Sequence, residues 1–89
     1  MPHWRDIEFE WDDGNINHLD QRHRVSPHEV EEAFFYDPVI LREGDFYRVL
    51  GQTDGGRYLS ILCEWRGHRL RAFSAHNMNQ AERRRYDRR

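Results

Sequence analysis

The feature that most constrains the fold is a change of periodicity after Pro38, from helical spacing to a period of two. Four runs with this period follow, at residues 39–41, 46–52, 58–65 and 68–75. The segments between them are typical of tight turns: Glu43-Gly44-Asp45, Asp54-Gly55-Gly56 and Arg66-Gly67. We therefore predict antiparallel hairpins, with residues 58–65 as the central strand.

The residues before Pro38 predict one strand and two helices. Three apolar residues alternate with acidic ones and predict a strand that opens the sheet: Ile7, Phe9 and Trp11. The spacing of Ile16 and Leu19 predicts a first helix over residues 14–24. Ser26 and Glu29 form a capping box around Pro27, which predicts a second helix over residues 27–36.

A last helix is predicted after residue 79, because Asn79 and Glu82 have the spacing of another capping box. The predicted fold is α+β, with an N-terminal strand and two helices, an antiparallel sheet of about four strands and a C-terminal helix. The helices are expected against one face of the sheet. Residues 1–89 are expected to form one domain, since 89 residues leave no room for a separate cofactor-binding lobe.

Composition limits the class of protein further. No apolar run approaches the roughly 18 to 20 residues that cross a bilayer, and no signal sequence is recognised. We therefore expect a cytoplasmic protein without membrane contact. The single cysteine, Cys63, excludes an internal disulfide and is expected in the core as an inert thiol.

Charge is distributed unevenly along the chain. Residues 1–45 hold four arginines and twelve acidic residues, whereas residues 46–89 hold ten arginines and four acidic residues. All fourteen basic residues are arginine, whose planar guanidinium suits bidentate phosphate contacts. The split points to an anionic ligand such as RNA or DNA. A GC-rich genome explains the choice of arginine over lysine, but not the clustering.

The predicted hairpins carry four arginines that are candidates for a phosphate site: Arg48, Arg57, Arg69 and Arg71. Paired strands bring side chains of one face together, so these guanidiniums are expected to converge. Such a site would hold an RNA phosphodiester and stabilise negative charge as the 2′-hydroxyl attacks phosphorus. The competing interpretation is a solvated sheet face, because single surface arginines are common.

Among the six histidines, His76 is the strongest candidate for proton transfer, because it lies where the arginine-bearing strand meets the last helix. Tyr86 is a candidate general acid or base-stacking ring, and core packing is the alternative. His18 and His23 lack the i, i+4 spacing of a helical zinc pair. No metal and no cofactor are therefore predicted.

An ordered set of short motifs resembles the BrnT family, the toxins of bacterial type II toxin–antitoxin pairs. The motifs are Phe9-Glu10-Trp11-Asp12, Arg22-His23-x-Val25, Gly55-Gly56-Arg57, Arg71-Ala72-Phe73-Ser74-Ala75, and Met78 with Glu82-Arg83-Arg84-Arg85-Tyr86. The resemblance covers nearly the whole chain after about residue 7. It implies a RelE-like fold and metal-independent RNA cleavage that inhibits translation. It also implies a BrnA-like antitoxin with a ribbon-helix-helix region, which forms a heterotetramer with the toxin and represses their operon.

The resemblance carries roles to particular residues. It carries over His23, Arg57, Arg71 and Tyr86. Together with the residue chemistry above, the predicted catalytic residues are Arg57, Arg71, His76 and Tyr86, and the predicted RNA-binding residues are His23, Arg48, Arg69 and Arg83. The chain departs from the family pattern at two positions. Arg24 stands where the family has glycine, and His76 stands where it has arginine. The second departure favours an alternative, a BrnT-like protein that no longer cleaves RNA and acts as an interaction or regulatory subunit.

Overall fold

The computed structural model describes residues 6–89. Eight elements follow one another along the chain: β1 (Glu8–Phe9), α1 (Asp13–His23), α2 (Pro27–Glu32), β2 (Val39–Glu43), β3 (Phe46–Gln52), β4 (Tyr58–Arg66), β5 (Arg69–Asn77) and α3 (Gln80–Asp87). The predicted α+β class is confirmed. Pro38 separates the helical part from the hairpins, as the change of periodicity predicts.

The sheet has five strands in the order β1-β5-β4-β3-β2. Strands β2 to β5 form the predicted antiparallel hairpins, with β4 central. The N-terminal strand differs from the prediction, because β1 pairs with β5 in parallel and makes the sheet mixed. In this short pairing Glu8 and Phe9 lie opposite Arg69 and Leu70, and the Glu10 N–H donates to the Leu70 carbonyl at 2.9 Å. Alternation of side chains does not distinguish a parallel partner from an antiparallel one.

Helices lie on both faces of the sheet, so the prediction of a single covered face is wrong. On one face α1 and α2 complete a core that includes Leu19, Val30, Ile61 and Cys63. On the other face α3 contributes Tyr86 to a second, smaller core. Its buried sheet residues are Val39 and Leu50. Strands β2, β3 and β4 alternate with a period of two because each supplies side chains to both cores, whereas the buried side chains of β5 belong to the first core.

The helix ends follow local signals where these exist. Asp12 caps α1 through a capping box with Asn15, so the helix begins one residue before the predicted start. It ends at His23, and the C-cap residue Arg24 adopts the left-handed conformation with φ of 54°. A residue with a Cβ atom is strained there, and glycine is the usual choice.

The second helix begins as predicted but ends at Glu32 rather than at residue 36. The chain turns there to enter β2, and the Ala33 carbonyl packs against Gly51 of β3. A Cβ atom at Gly51 would lie 2.1 Å from the Ala33 carbonyl oxygen. The close approach of α2 to the sheet therefore requires glycine at this position, a constraint that no local pattern reveals.

Candidate functional site

Two of the predicted phosphate-binding arginines are held by acidic residues of the N-terminal segment. Arg71 contacts the Glu10 carboxylate at 3.1 Å and the two Asp12 oxygens at 2.7 and 3.1 Å. Arg69 donates to the other oxygen of Glu10 at 3.0 Å. These ion pairs join β5 to the segment between β1 and α1. Arg71 and Arg69 thus have a structural role that the sequence analysis did not predict.

The ion pair between Asp12 and Arg71 makes stability depend on pH. The hydrogen bond from Arg71 lowers the pKa of Asp12 from 3.8 to about 2, and the Asn15 N–H adds to the effect. A carboxylate with a lowered pKa stabilises the fold at pH values above its ordinary pKa, and this contribution is lost as pH falls from about 4 to 2.

An Asp12→Asn variant tests this pH dependence, because asparagine keeps an oxygen that can cap the helix but loses the charge and one of the two oxygens that accept from Arg71. We expect the variant to be less stable than the wild type at pH 7 and equally stable near pH 2. Urea unfolding at several pH values measures the difference. A wild-type advantage that is unchanged at pH 2 would show that the charge of Asp12 does not contribute.

Arg57 is also held within the protein, at the C-terminal end of α1. Its guanidinium donates to the carbonyls of His23 at 2.7 Å and Arg24 at 2.9 Å. It contacts the Glu29 carboxylate at 3.2 Å and donates to Asn77 Oδ1 at 2.8 Å. A cation at a helix C-terminus satisfies carbonyls that the helix leaves unbonded. Arg57 therefore positions the last turn of α1, which carries His23, against the end of β5.

The predicted single arginine pocket does not form. Arg57 contacts Asn77 at the end of β5, whereas Arg71 lies six residues earlier on that strand, about 20 Å away at the usual rise. Carboxylates of the acidic N-terminal half engage both guanidiniums. Much of the charge asymmetry is thus neutralised inside the molecule. Any contact of these arginines with RNA stays a prediction.

Tyr86 and Arg83 lie on the side of α3 that packs on the sheet. Tyr86 is 2% exposed and its hydroxyl donates to the Tyr36 carbonyl at 3.5 Å. Arg83 stacks on the Tyr58 ring, with 3.4 Å between the guanidinium carbon and the ring centroid. The core-packing alternative for Tyr86 is therefore the one observed, and its buried ring is not placed to meet a substrate.

The structure does bring His76 together with an acidic partner. His76 is half-buried on β5, and its Nε2 lies 3.1 Å from Oε1 of Glu82 on α3. The sequence predicts Glu82 only as a helix-capping residue. It does cap α3, since the Asn79 N–H donates to the same oxygen at 3.0 Å. One carboxylate thus fixes the start of α3 and the imidazole of His76.

Two more side chains hold Glu82 in its ionised form. Ser60, fully buried on β4, donates to Oε2 of Glu82 at 2.8 Å, and Arg48 lies 3.2 Å from the same oxygen. Burial raises the pKa of Glu82, but hydrogen bonds from Asn79, Ser60 and His76 outweigh it, so the pKa lies below its usual value. An ionised carboxylate only accepts hydrogen bonds. Nε2 of His76 is therefore the donor, and in the neutral form of the ring the lone pair then lies on Nδ1.

His23 lies beside this pair. The centroids of its imidazole and that of His76 are 6.0 Å apart. His23 also lines a groove of about 240 Å³ between α1 and β5, together with His18, Leu19, Arg22, Ser74 and Ala75. Arg22 is exposed, and no ion pair or hydrogen bond of its guanidinium is found within residues 6–89. The imidazoles of His18 and His23 and the available guanidinium of Arg22 thus lie at the border of the groove.

No family model matches this chain, and no curated protein matches it at a significant level. Within residues 6–89, no three histidine, cysteine or acidic side chains are grouped so that they could hold a metal ion. None of the three helices described is long and apolar enough to span a bilayer. The expected burial of Cys63 is confirmed, and burial raises the pKa of its thiol to about 12.

The arrangement around His76 is suited to acid–base chemistry. A carboxylate that accepts from one imidazole nitrogen fixes the tautomer and stabilises the ring when it gains a proton. The imidazole of His23, which lines the adjacent groove, can supply a proton elsewhere on a bound molecule. The cluster that the structure supports therefore consists of His76, Glu82, His23 and Arg22, and only the two histidines were predicted as site residues.

Proposed function

We propose that the protein is a BrnT-like toxin with a RelE-like fold, which cleaves RNA in the bacterial cytoplasm and thereby inhibits translation. The observation that carries the proposal is the hydrogen-bonded pair of His76 and Glu82 beside His23 and the groove. The motif resemblance supplies the substrate class. The pair supplies the proton transfer that cleavage by a ribose 2′-hydroxyl requires.

In the proposed reaction, Nδ1 of His76 takes the proton of the 2′-hydroxyl as its oxygen attacks the adjacent phosphorus. The bond from phosphorus to the 5′-oxygen breaks, and a protonated His23 donates a proton to that oxygen. Arg22 stabilises the negative charge that develops on the phosphate. The products are a 2′,3′-cyclic phosphate and a free 5′-hydroxyl, and water is not consumed in this step.

A specific observation also favours the second candidate, a BrnT-like subunit without catalytic activity. The guanidiniums of Arg57 and Arg71, the two arginines that the resemblance makes catalytic, are engaged by this chain's own carboxylates. In this alternative, the arginines stabilise the fold and the protein acts through a partner. The partner proposed in both cases is a BrnA-like antitoxin, joined with the toxin in a heterotetramer.

Cleavage of a defined single-stranded RNA by the purified chain in the presence of EDTA tests the first proposal. We expect fragments that end in a 2′,3′-cyclic phosphate and carry 5′-hydroxyls, which mass spectrometry identifies. A matched 2′-O-methyl RNA lacks the attacking hydroxyl and should remain intact. An RNA that stays intact at high protein concentration would exclude the enzyme and leave the non-catalytic subunit.

A further inference from the structure

The half of the sheet that α3 leaves open carries an exposed pair of phenylalanines. Phe46, at the start of β3, is 42% exposed, and Phe73 is half-buried on β5. The two rings are 5.0 Å apart between centroids, at 61° to each other. Phe73 is the extra residue of a bulge, because Leu62 pairs with Ser74 and Cys63 pairs with Ala72. Neither ring belongs to the two cores described.

A carboxylate lies next to this aromatic pair. Glu64 is opposite Arg71 on β5, and continuation of the pairing of Tyr47 with Cys63 places it opposite Phe46 on β3. Glu10 and Asp12 engage the Arg71 guanidinium. No ion pair or hydrogen bond of the Glu64 carboxylate is found within residues 6–89. The open face therefore presents two aromatic rings beside an available hydrogen-bond acceptor.

The aromatic pair is continuous with the cluster around His76. Phe73 lies three residues before His76 on β5, about 10 Å at the usual rise, and Ser74 between them lines the groove. On β3, Arg48 lies two residues after Phe46 and contacts Glu82. His76 and the aromatic pair thus lie on the α3 side of the sheet, so a nucleotide whose ribose contacts His76 can reach the phenylalanines with its base.

We propose that Phe46, Phe73 and Glu64 form a subsite for a nucleobase that carries an exocyclic amino group, next to the RNA ribose and phosphate bound at His76. The inference rests on the proposed function and adds the substrate's base preference. Aromatic rings stack on any base, whereas a carboxylate accepts a hydrogen bond from an amino group such as N4 of cytosine. Uracil has a carbonyl oxygen at that position, which the carboxylate repels.

Binding of 2′-O-methyl oligonucleotides tests the subsite separately from catalysis, because these strands have no 2′-hydroxyl to react. Fluorescence anisotropy with labelled hexamers of cytidine and of uridine measures the affinities. We expect the wild type to bind the cytidine hexamer about tenfold more tightly than the uridine hexamer. Phe46→Ala should weaken cytidine binding about tenfold.

Two further variants sharpen the test. Glu64→Gln should abolish or reverse the preference for cytidine, since the glutamine amide can donate to the uracil oxygen. Phe35→Ala is the matched control, because Phe35 is 71% exposed and lies outside the patch, in the connection between α2 and β2. It should leave both affinities unchanged. Circular dichroism confirms that each variant is folded.

The outcomes separate this inference from the proposed function. Equal binding of both hexamers, or cytidine binding unaffected by Phe46→Ala, overturns the subsite even if RNA is cleaved. A cytidine preference that depends on Phe46 in a protein without cleavage supports the subsite and overturns the enzymatic proposal. Failure to bind either hexamer, with Phe46 instead required for binding a protein partner, assigns the patch to a protein interface and overturns the subsite.

Discussion

His76→Ala should reduce RNA cleavage by at least about a hundredfold, the lower end of what a general acid or base contributes. The imidazole can act as a base through Nδ1, because its other nitrogen, Nε2, donates a hydrogen bond to Glu82. Initial rates on a fluorescent RNA oligonucleotide measure the loss. Binding of the 2′-O-methyl analogue should change little, since the substitution removes a reacting group and leaves Arg22 in place.

Two control variants distinguish catalysis from a structural effect at His76. His68→Ala removes an exposed histidine from the turn between β4 and β5, where the ring lies 3.6 Å from Glu8, and should keep full activity. Glu82→Gln keeps the cap of α3 but removes the charge that orients and stabilises His76. We expect it to lower the rate and to shift the pH profile. Full activity of His76→Ala would refute the assignment of the base.

Gly51→Ala should destabilise the protein by about 3 kcal/mol, at the upper end of the range for overpacked cores. The added methyl group would lie 2.1 Å from the Ala33 carbonyl oxygen, a backbone atom that cannot move without displacing the end of α2. For a domain of this size we expect a drop in melting temperature of about 15 °C. Thermal unfolding followed by circular dichroism measures it.

Gly55→Ala is the matched control, since it adds the same methyl group at a glycine in the turn between β3 and β4. The nearest atom to its new Cβ would be Thr53 Oγ1 at 3.9 Å, an ordinary contact distance. Its effect on the free energy of unfolding should stay within about 0.5 kcal/mol. Comparable destabilisation by both substitutions would mean that the contact with Ala33 is not the cause.

The sequence predicts the parts of the fold that depend on neighbouring residues. The capping boxes at Ser26 and Asn79 begin helices as expected, and the glycine turns join the hairpins as expected. The parallel pairing of β1 and the early end of α2 depend on contacts between distant segments. Glu8 pairs with Arg69, and Ala33 packs on Gly51. No local pattern contains such contacts, so neither feature could be predicted from the sequence.

The same distinction between neighbouring residues and distant contacts applies to the candidate site. His76 and His23 could be named from residue type and position, because imidazole chemistry is a property of the side chain. The partners of the arginines could not be named from the sequence, because they are distant in the chain. Arg71 contacts Asp12, and Arg57 contacts the end of α1. One signal for Glu82 was present: a carboxylate in the first turn of α3 lies close to the strand residue just before that helix.

The hydrogen bonds of Arg57 to the last turn of α1 affect how tightly the groove can bind a ligand. His23 and the groove wall are fixed to β4 and β5 before any ligand arrives, because the same guanidinium bonds both to the helix carbonyls and to Asn77. A molecule that enters the groove therefore does not lose affinity to the entropic cost of ordering that wall. Preorganisation of this kind favours rigid recognition of one backbone conformation over adaptation to many.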